Sequence, residues 1–147
     1  MRNFLQQFKN IKIETKTIDP KQKKILIASI LVECAKSDNK FTDSETKKIK
    51  ILLEKKINVT SNEVNEVFEE AIKMTENNIE VYSLTRDIRE NFSKEEILQI
   101  FEYMWEIVLS DGILDDFEAA LMRQLTGLFH LSDRESAEAR KKAESIQ

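Results

Sequence analysis

Apolar residues along this chain recur at steps of three and four, the spacing that gathers side chains on one side of an α-helix. Val64, Val67, Phe68, Ala71 and Ile72 are the clearest case, an i, i+3, i+4, i+7, i+8 stripe that predicts a helix with one buried face. Two other stretches leave little polar surface on any side. They are Ile25, Leu26, Ile27, Ile30, Leu31, Val32 and Cys34, and Ile97, Leu98, Ile100, Phe101, Met104, Trp105, Ile107 and Val108. A helix apolar nearly all round belongs inside a core, so these two are expected at its centre, with Trp105 packed there.

Helix starts are legible from capping chemistry. A hydroxyl or carboxylate residue followed three positions later by Glu can satisfy free backbone N–H groups at both positions. Thr42/Glu45, Thr60/Glu63, Ser93/Glu96, Asp115/Glu118 and Ser132/Glu135 fit that pattern, each ahead of a helically spaced apolar stretch. Pro20, favoured at a first helical position, opens another helix, and the stretch from Tyr82 to Asn91 supplies one more. About seven helices are expected, near residues 20–37, 42–57, 61–76, 80–91, 93–110, 115–129 and 132–145.

The helices repeat. Residues 37–45 (Ser-Asp-Asn-Lys-Phe-Thr-Asp-Ser-Glu) align with residues 110–118 (Ser-Asp-Gly-Ile-Leu-Asp-Asp-Phe-Glu) at an offset of 73, and Glu33 then matches Glu106. With one residue removed, Val59-Thr60 matches Leu131-Ser132, Glu63 matches Glu135 and Ala71 matches Ala143. The expected fold is all-α, with duplicated three-helix units of helix, acidic turn, helix and helix packed as one bundle. Repeat 1 spans about 20–76, a linker helix about 80–91 and repeat 2 about 93–146, within a helical domain of residues 20–147 that follows a basic amphipathic lead-in at 1–19.

Composition supports this organisation: two Gly and one Pro in 147 residues leave few hairpins or long loops. A single Cys34 within an apolar run cannot form an internal disulfide and points to a reducing compartment, the cytoplasm. The longest apolar-rich run, Ile25 to Ala35, is too short to span a bilayer and carries Ser29 and Glu33, and no secretory signal pattern opens the chain. Charge is uneven, +5 over residues 1–24 and −9 over the rest, so the acidic body repels nucleic acid and favours cations or basic partners. In the lead-in, Phe4, Leu5, Phe8 and Ile11 form an apolar stripe among Arg2, Lys9 and Lys12. Such a stripe suits peripheral contact with an anionic membrane or a partner groove, or packing on the domain itself.

The run from Met104 to Glu118 (Met-Trp-Glu-Ile-Val-Leu-Ser-Asp-Gly-Ile-Leu-Asp-Asp-Phe-Glu), followed by Arg123, Leu125, Leu128 and Leu131-Ser132, resembles the second-repeat signature of TerB-like (tellurite-resistance protein B-like) proteins. Leu31-Val32-Glu33-Cys34-Ala35-Lys36-Ser37-Asp38 through Glu45 resembles the family's first unit, so the likeness covers roughly residues 20–145. The resemblance implies an all-helical module of tellurite-resistance and stress-response systems, related to the N-terminal domain of a membrane-bound DnaJ-type co-chaperone. It also implies that acidic residues of the repeated motif bind a divalent cation or a partner. The matching positions are Glu33, Asp38 and Glu45 in the first repeat and Glu106, Asp111 and Glu118 in the second. Asn39 stands where the family has Gly, and Lys36 and Lys40 dilute the first cluster's charge.

Each of these residues also has a structural reading. Glu45 and Glu118 can be helix caps, with Asn39 or Gly112 ending the preceding helix in the left-handed conformation. Asp38 and Asp111 face the negative end of a helix dipole, which calls for turn N–H donors or a cation as compensation. Glu33 and Glu106 lie in apolar helices, where an unpaired carboxylate is costly, and call for hydrogen bonds to the turn or a ligand. The motif is not an EF-hand, since Asp38 to Glu45 and Asp111 to Glu118 each span eight residues. A cation such as Ca²⁺ would need another cage or a surface cluster with Asp43, Asp115 and Asp116.

Zinc is poorly served by one Cys and one His, and no nucleophile triad, phosphate loop or exposed thiol argues for catalysis, including chemistry on tellurium oxyanions. His130 occupies the place of Ile57 in the first repeat, which predicts a partly buried packing position. The expected function is a non-catalytic binding module of a tellurite-resistance or stress-response system, whose acidic turns take a divalent cation or a basic protein partner. A purely structural scaffold, acting through protein contacts and without a metal site, is the alternative.

Overall fold

The computed structural model describes residues 19–36, 42–76, 81–110 and 112–146. They form helices α1 (Pro20–Ala35), α2 (Asp43–Lys56), α3 (Val64–Glu76), α4 (Val81–Asn91), α5 (Lys94–Val108), α6 (Asp116–Leu128) and α7 (Asp133–Ile146), with no strand among the described residues. The all-α bundle expected from periodicity is the fold observed.

Capping sets most helix starts. Reciprocal side-chain to backbone bonds link Thr42 with Glu45, Ser93 with Glu96, Asp115 with Glu118, and Ser132 with Glu135. Asp19 caps α1 through the Gln22 N–H at 2.8 Å, ahead of Pro20. The Thr60 start differs from expectation. Glu63 returns only to the Thr60 N–H, at 3.3 Å, residues 61–63 form a turn, and α3 begins at Val64 rather than near 61.

The two apolar helices do lie at the centre. α1 packs against α2, α3, α4 and α5, while α5 packs against α1, α2, α4 and α7. Ala28, Ile30, Leu31, Val32 and Cys34 on α1 and Phe101 and Met104 on α5 are fully buried, and Phe101 meets the edge of Phe129 at 6.1 Å. Ser29, buried on α1, donates to the Ile25 carbonyl at 2.7 Å, so this polar group costs the core no unmet hydrogen bond. Trp105 is buried as expected, with the Arg140 guanidinium 5.2 Å above its ring.

The first and third helices of each expected unit pack on each other, α1 on α3 and α5 on α7. Each pair is clipped by a lysine on the capping glutamate of the third helix: Lys24 to Glu63 and Lys94 to Glu135, both at 2.9 Å. These bonds, with the capping bonds, hold both carboxyls below their ordinary pKa.

Asn58 and His130 both adopt a left-handed backbone, φ 60° and 58°. The turn lets the following residue reach back to its helix, Val59 N–H to the Leu53 carbonyl and Leu131 N–H to the Thr126 carbonyl, each at 3.0 Å. His130 therefore corresponds to Asn58, not to Ile57, and its side chain is exposed. The packing position expected for it belongs to Phe129, which is buried.

Candidate functional site

In the sequence the acidic turns follow α1 and α5, the two central helices, and their described parts are the capped starts of α2 and α6. In the first, the Glu45 N–H donates to Thr42 Oγ1 at 3.1 Å while Glu45 Oε1 accepts from the Thr42 N–H at 3.1 Å and its hydroxyl at 2.9 Å. In the second, the Glu118 N–H donates to Asp115 Oδ1 at 2.7 Å and Glu118 Oε1 accepts from the Asp115 N–H at 3.3 Å. Gly112 takes the left-handed conformation expected of it, φ 80°, and its N–H donates to the Leu109 carbonyl at 3.0 Å.

The two turns meet. A cleft of about 290 Å³ is lined by Ala35 and Val108, Thr42 and Asp115, and Glu45 and Glu118. The members of each pair stand 73 positions apart. Ser44, Lys48, Ile107 and Ser110 complete the lining. Lys48 reaches across it, its ammonium donating to the Ser110 carbonyl at 3.0 Å. That carbonyl follows the C-terminal end of α5, where the helix dipole favours a cation. Sequence reasoning passed over Lys48. Its signal was a break in the repeat, since the position 73 residues on is Leu121.

The remaining candidates are distributed differently. Asp43 and Asp116 are exposed at the first positions of α2 and α6, where they complement the helix dipoles. Glu33 and Glu106 are half-buried. Burial raises both carboxyl pKa values above the ordinary range, opposed by Lys36 at Glu33 and by Lys56 at Glu106. Glu106 lines a separate groove between α2 and α5 rather than the cleft of Glu45 and Glu118. Asp38 and Asp111 lie outside the described residues, as do Phe4, Leu5, Phe8 and Ile11.

In the last turn of α1 Cys34 is fully buried, and its thiol pKa is pushed up by burial and then by the charges of Glu33 and Glu118. A thiolate is disfavoured there, as expected of a packing residue. Among the described residues no three His, Cys, Asp or Glu side chains come together as a metal-binding group. No helix among them is long and apolar enough to cross a membrane.

The profile of a family described as Tellurite resistance protein TerB matches residues 24–141, a span that holds both acidic turns and the cleft. No curated protein and no solved structure matches the chain.

Proposed function

The chain belongs to the tellurite resistance protein TerB family, and from that premise we propose that it is a non-catalytic cytoplasmic binding module of a tellurite-resistance or stress-response system, taking a cationic ligand between its acidic turns. The observation that carries this reading is the convergence of Thr42 with Asp115 and Glu45 with Glu118 on one cleft. Capping alone explains each turn separately but gives no reason for the two to face each other. A divalent cation such as Ca²⁺ requires about six to eight oxygens. Glu45, Asp115 and Glu118 line the cleft without forming a metal-binding group by themselves, so Asp38 and Asp111, in the same turns of the sequence, are the carboxylates that would have to complete it.

Calorimetric titration with Ca²⁺, Mg²⁺ and Mn²⁺ tests the reading, using the full chain, Asp111→Asn and Glu96→Gln. The last variant loses a capping glutamate remote from the cleft. Saturable binding that disappears in Asp111→Asn and survives in Glu96→Gln is the expected result. Absence of binding up to millimolar metal would remove the cation.

A basic protein segment is the second reading, favoured by Phe117 and Ile113, which are 64% and 69% exposed beside Asp115 and Asp116. An aromatic and an aliphatic side chain among carboxylates is the surface a basic amphipathic segment recognises. Failure of both ligands would leave a scaffold with capped turns.

A further inference from the structure

The groove between α2 and α5 has the opposite character from the acidic cleft. It measures about 280 Å³, its floor is formed by Ile51, Leu52 and Ile107, and its rim by Lys48, Lys55 and Lys56, whose three ammoniums outnumber the single carboxylate of Glu106 on the α5 side. Leu52 and Ile107 are buried, but Ile51 remains 52% exposed. On α2, Lys48 and Lys55 stand three residues before and four after Ile51, so both share its face. A solvated lysine face requires no large aliphatic side chain at its middle, and an aliphatic core position requires burial. Here the two coincide, in a body whose charge beyond residue 24 is −9.

We propose that this groove docks an acidic amphipathic helix from a partner protein. Apolar side chains at helical spacing would cover Ile51 and the floor, while flanking carboxylates would meet the three lysines. The lysine span from Lys48 to Lys56 is roughly 12 Å along α2, so a few turns of helix suffice to cover it.

Charge decides against other occupants. The chain's own residues 1–18, ahead of α1, carry Arg2, Lys9, Lys12 and Lys16 against Glu14, a net +3, and like charge disfavours them on this rim. An anionic membrane is a poor fit, because α2 begins with Asp43 and Glu45 beside the acidic cleft, and a flat bilayer would press on those carboxylates as well. Nucleic acid meets the same repulsion from the body.

The experiment uses the full ¹⁵N-labelled chain and a fluorescein-labelled synthetic peptide of about four helical turns, with Leu on one stripe and Glu flanking it. A twin peptide carries Lys for every Glu. Expected are saturable anisotropy with the Glu peptide, amide shifts confined to α2 and the last turns of α5, and at least about tenfold weaker binding of the Lys twin. Ile51→Asp, at a half-exposed position, abolishes binding without unfolding the chain. Lys55→Gln with Lys56→Gln weakens it at least about tenfold. None of Ile51, Lys55 and Lys56 lines the acidic cleft, so the calorimetric response to Ca²⁺ stays at its wild-type value in both variants and the two proposals fail separately.

Equal binding of the two peptides, no saturation, or shifts centred elsewhere would overturn the proposal. So would phosphatidylserine vesicle binding that depends on Ile51, which would assign the groove to a membrane. Concentration-dependent dimerisation lost in Ile51→Asp would overturn it too, assigning the groove to a second copy of this chain.

Discussion

Asp115 can be altered so that its two roles separate. Its Oδ1 accepts the Glu118 N–H at 2.7 Å, which is capping, and its charge lies on the wall of the cleft, which is electrostatics. Asp115→Ala removes both and should cost about 1 kcal/mol, the usual value of an N-cap. For a domain of this size that lowers Tm by about 2–4 °C. Asp115→Asn keeps an equally good cap and loses only the charge. The lost helix-dipole interaction is worth about 0.3–1 kcal/mol at an exposed terminus, and relief of repulsion from Glu118 and Glu45 offsets part of it.

Asp115→Asn should therefore fall within about 0.5 kcal/mol of wild type. Urea unfolding followed by the fluorescence of Trp105, the one tryptophan, measures both variants. The cation titration should weaken equally in the two, because the cleft charge is missing from each. If Asp115→Asn is as destabilising as Asp115→Ala, the carboxylate holds the turn by something other than capping. If it binds cations as wild type does, the cleft is not the site.

Four further outcomes are expected. Gly127→Ala within α6, where an added Cβ meets open space, should stabilise by about 0.5–1 kcal/mol, whereas Gly112→Ala, also in open space but at φ 80°, should destabilise by about 1 kcal/mol; denaturant titration reads both. Burial raises the Glu33 pKa, so its cost to the fold is absent below the unfolded carboxylate pKa and develops as pH rises through the higher folded one; Glu33→Gln should be more stable than wild type at neutral pH and equal to it in acid, as read by thermal melts across pH. Cys34, buried with its thiol pKa raised, should react with a thiol reagent only as fast as the chain opens, which timed labelling with and without urea will show. Lys48→Leu, which copies Leu121 at the position 73 residues on, removes the one ammonium that lines the cleft among the described residues and should tighten cation binding several-fold, as measured by the same calorimetry.

What could be read in advance was whatever depends on neighbours in sequence. Capping pairs act over three residues, and four of the five expected pairs form reciprocally. The fifth fell short because the Glu63 N–H donates to the Thr60 carbonyl, at 3.1 Å, in a turn that precedes α3, rather than to the Thr60 hydroxyl. Apolar helices declared themselves central because an all-round apolar surface has no other place in a bundle. His130 was misplaced for a related reason: the spacing between turns shortens by one residue in the second unit, and only the left-handed φ shared with Asn58 fixes where.

The site was legible as residue types but not as a grouping. An offset of 73 marks Glu33 with Glu106 and Glu45 with Glu118 as equivalents, yet equivalence between units says nothing about which pairs face each other. That depends on how the helices pack, which puts Glu45 and Glu118 on one cleft and Glu106 in the groove between α2 and α5, where the charge of Lys56 acts on it. One consequence is that α2 borders both features. Its first turn feeds the acidic cleft, its last turns form the lysine rim, and Lys48 lines both. A ligand that draws Lys48 away from the Ser110 carbonyl on one side would alter the charge presented on the other. The two sites are thus linked through a single side chain, and any coupling between a cation and an acidic helix should disappear with it.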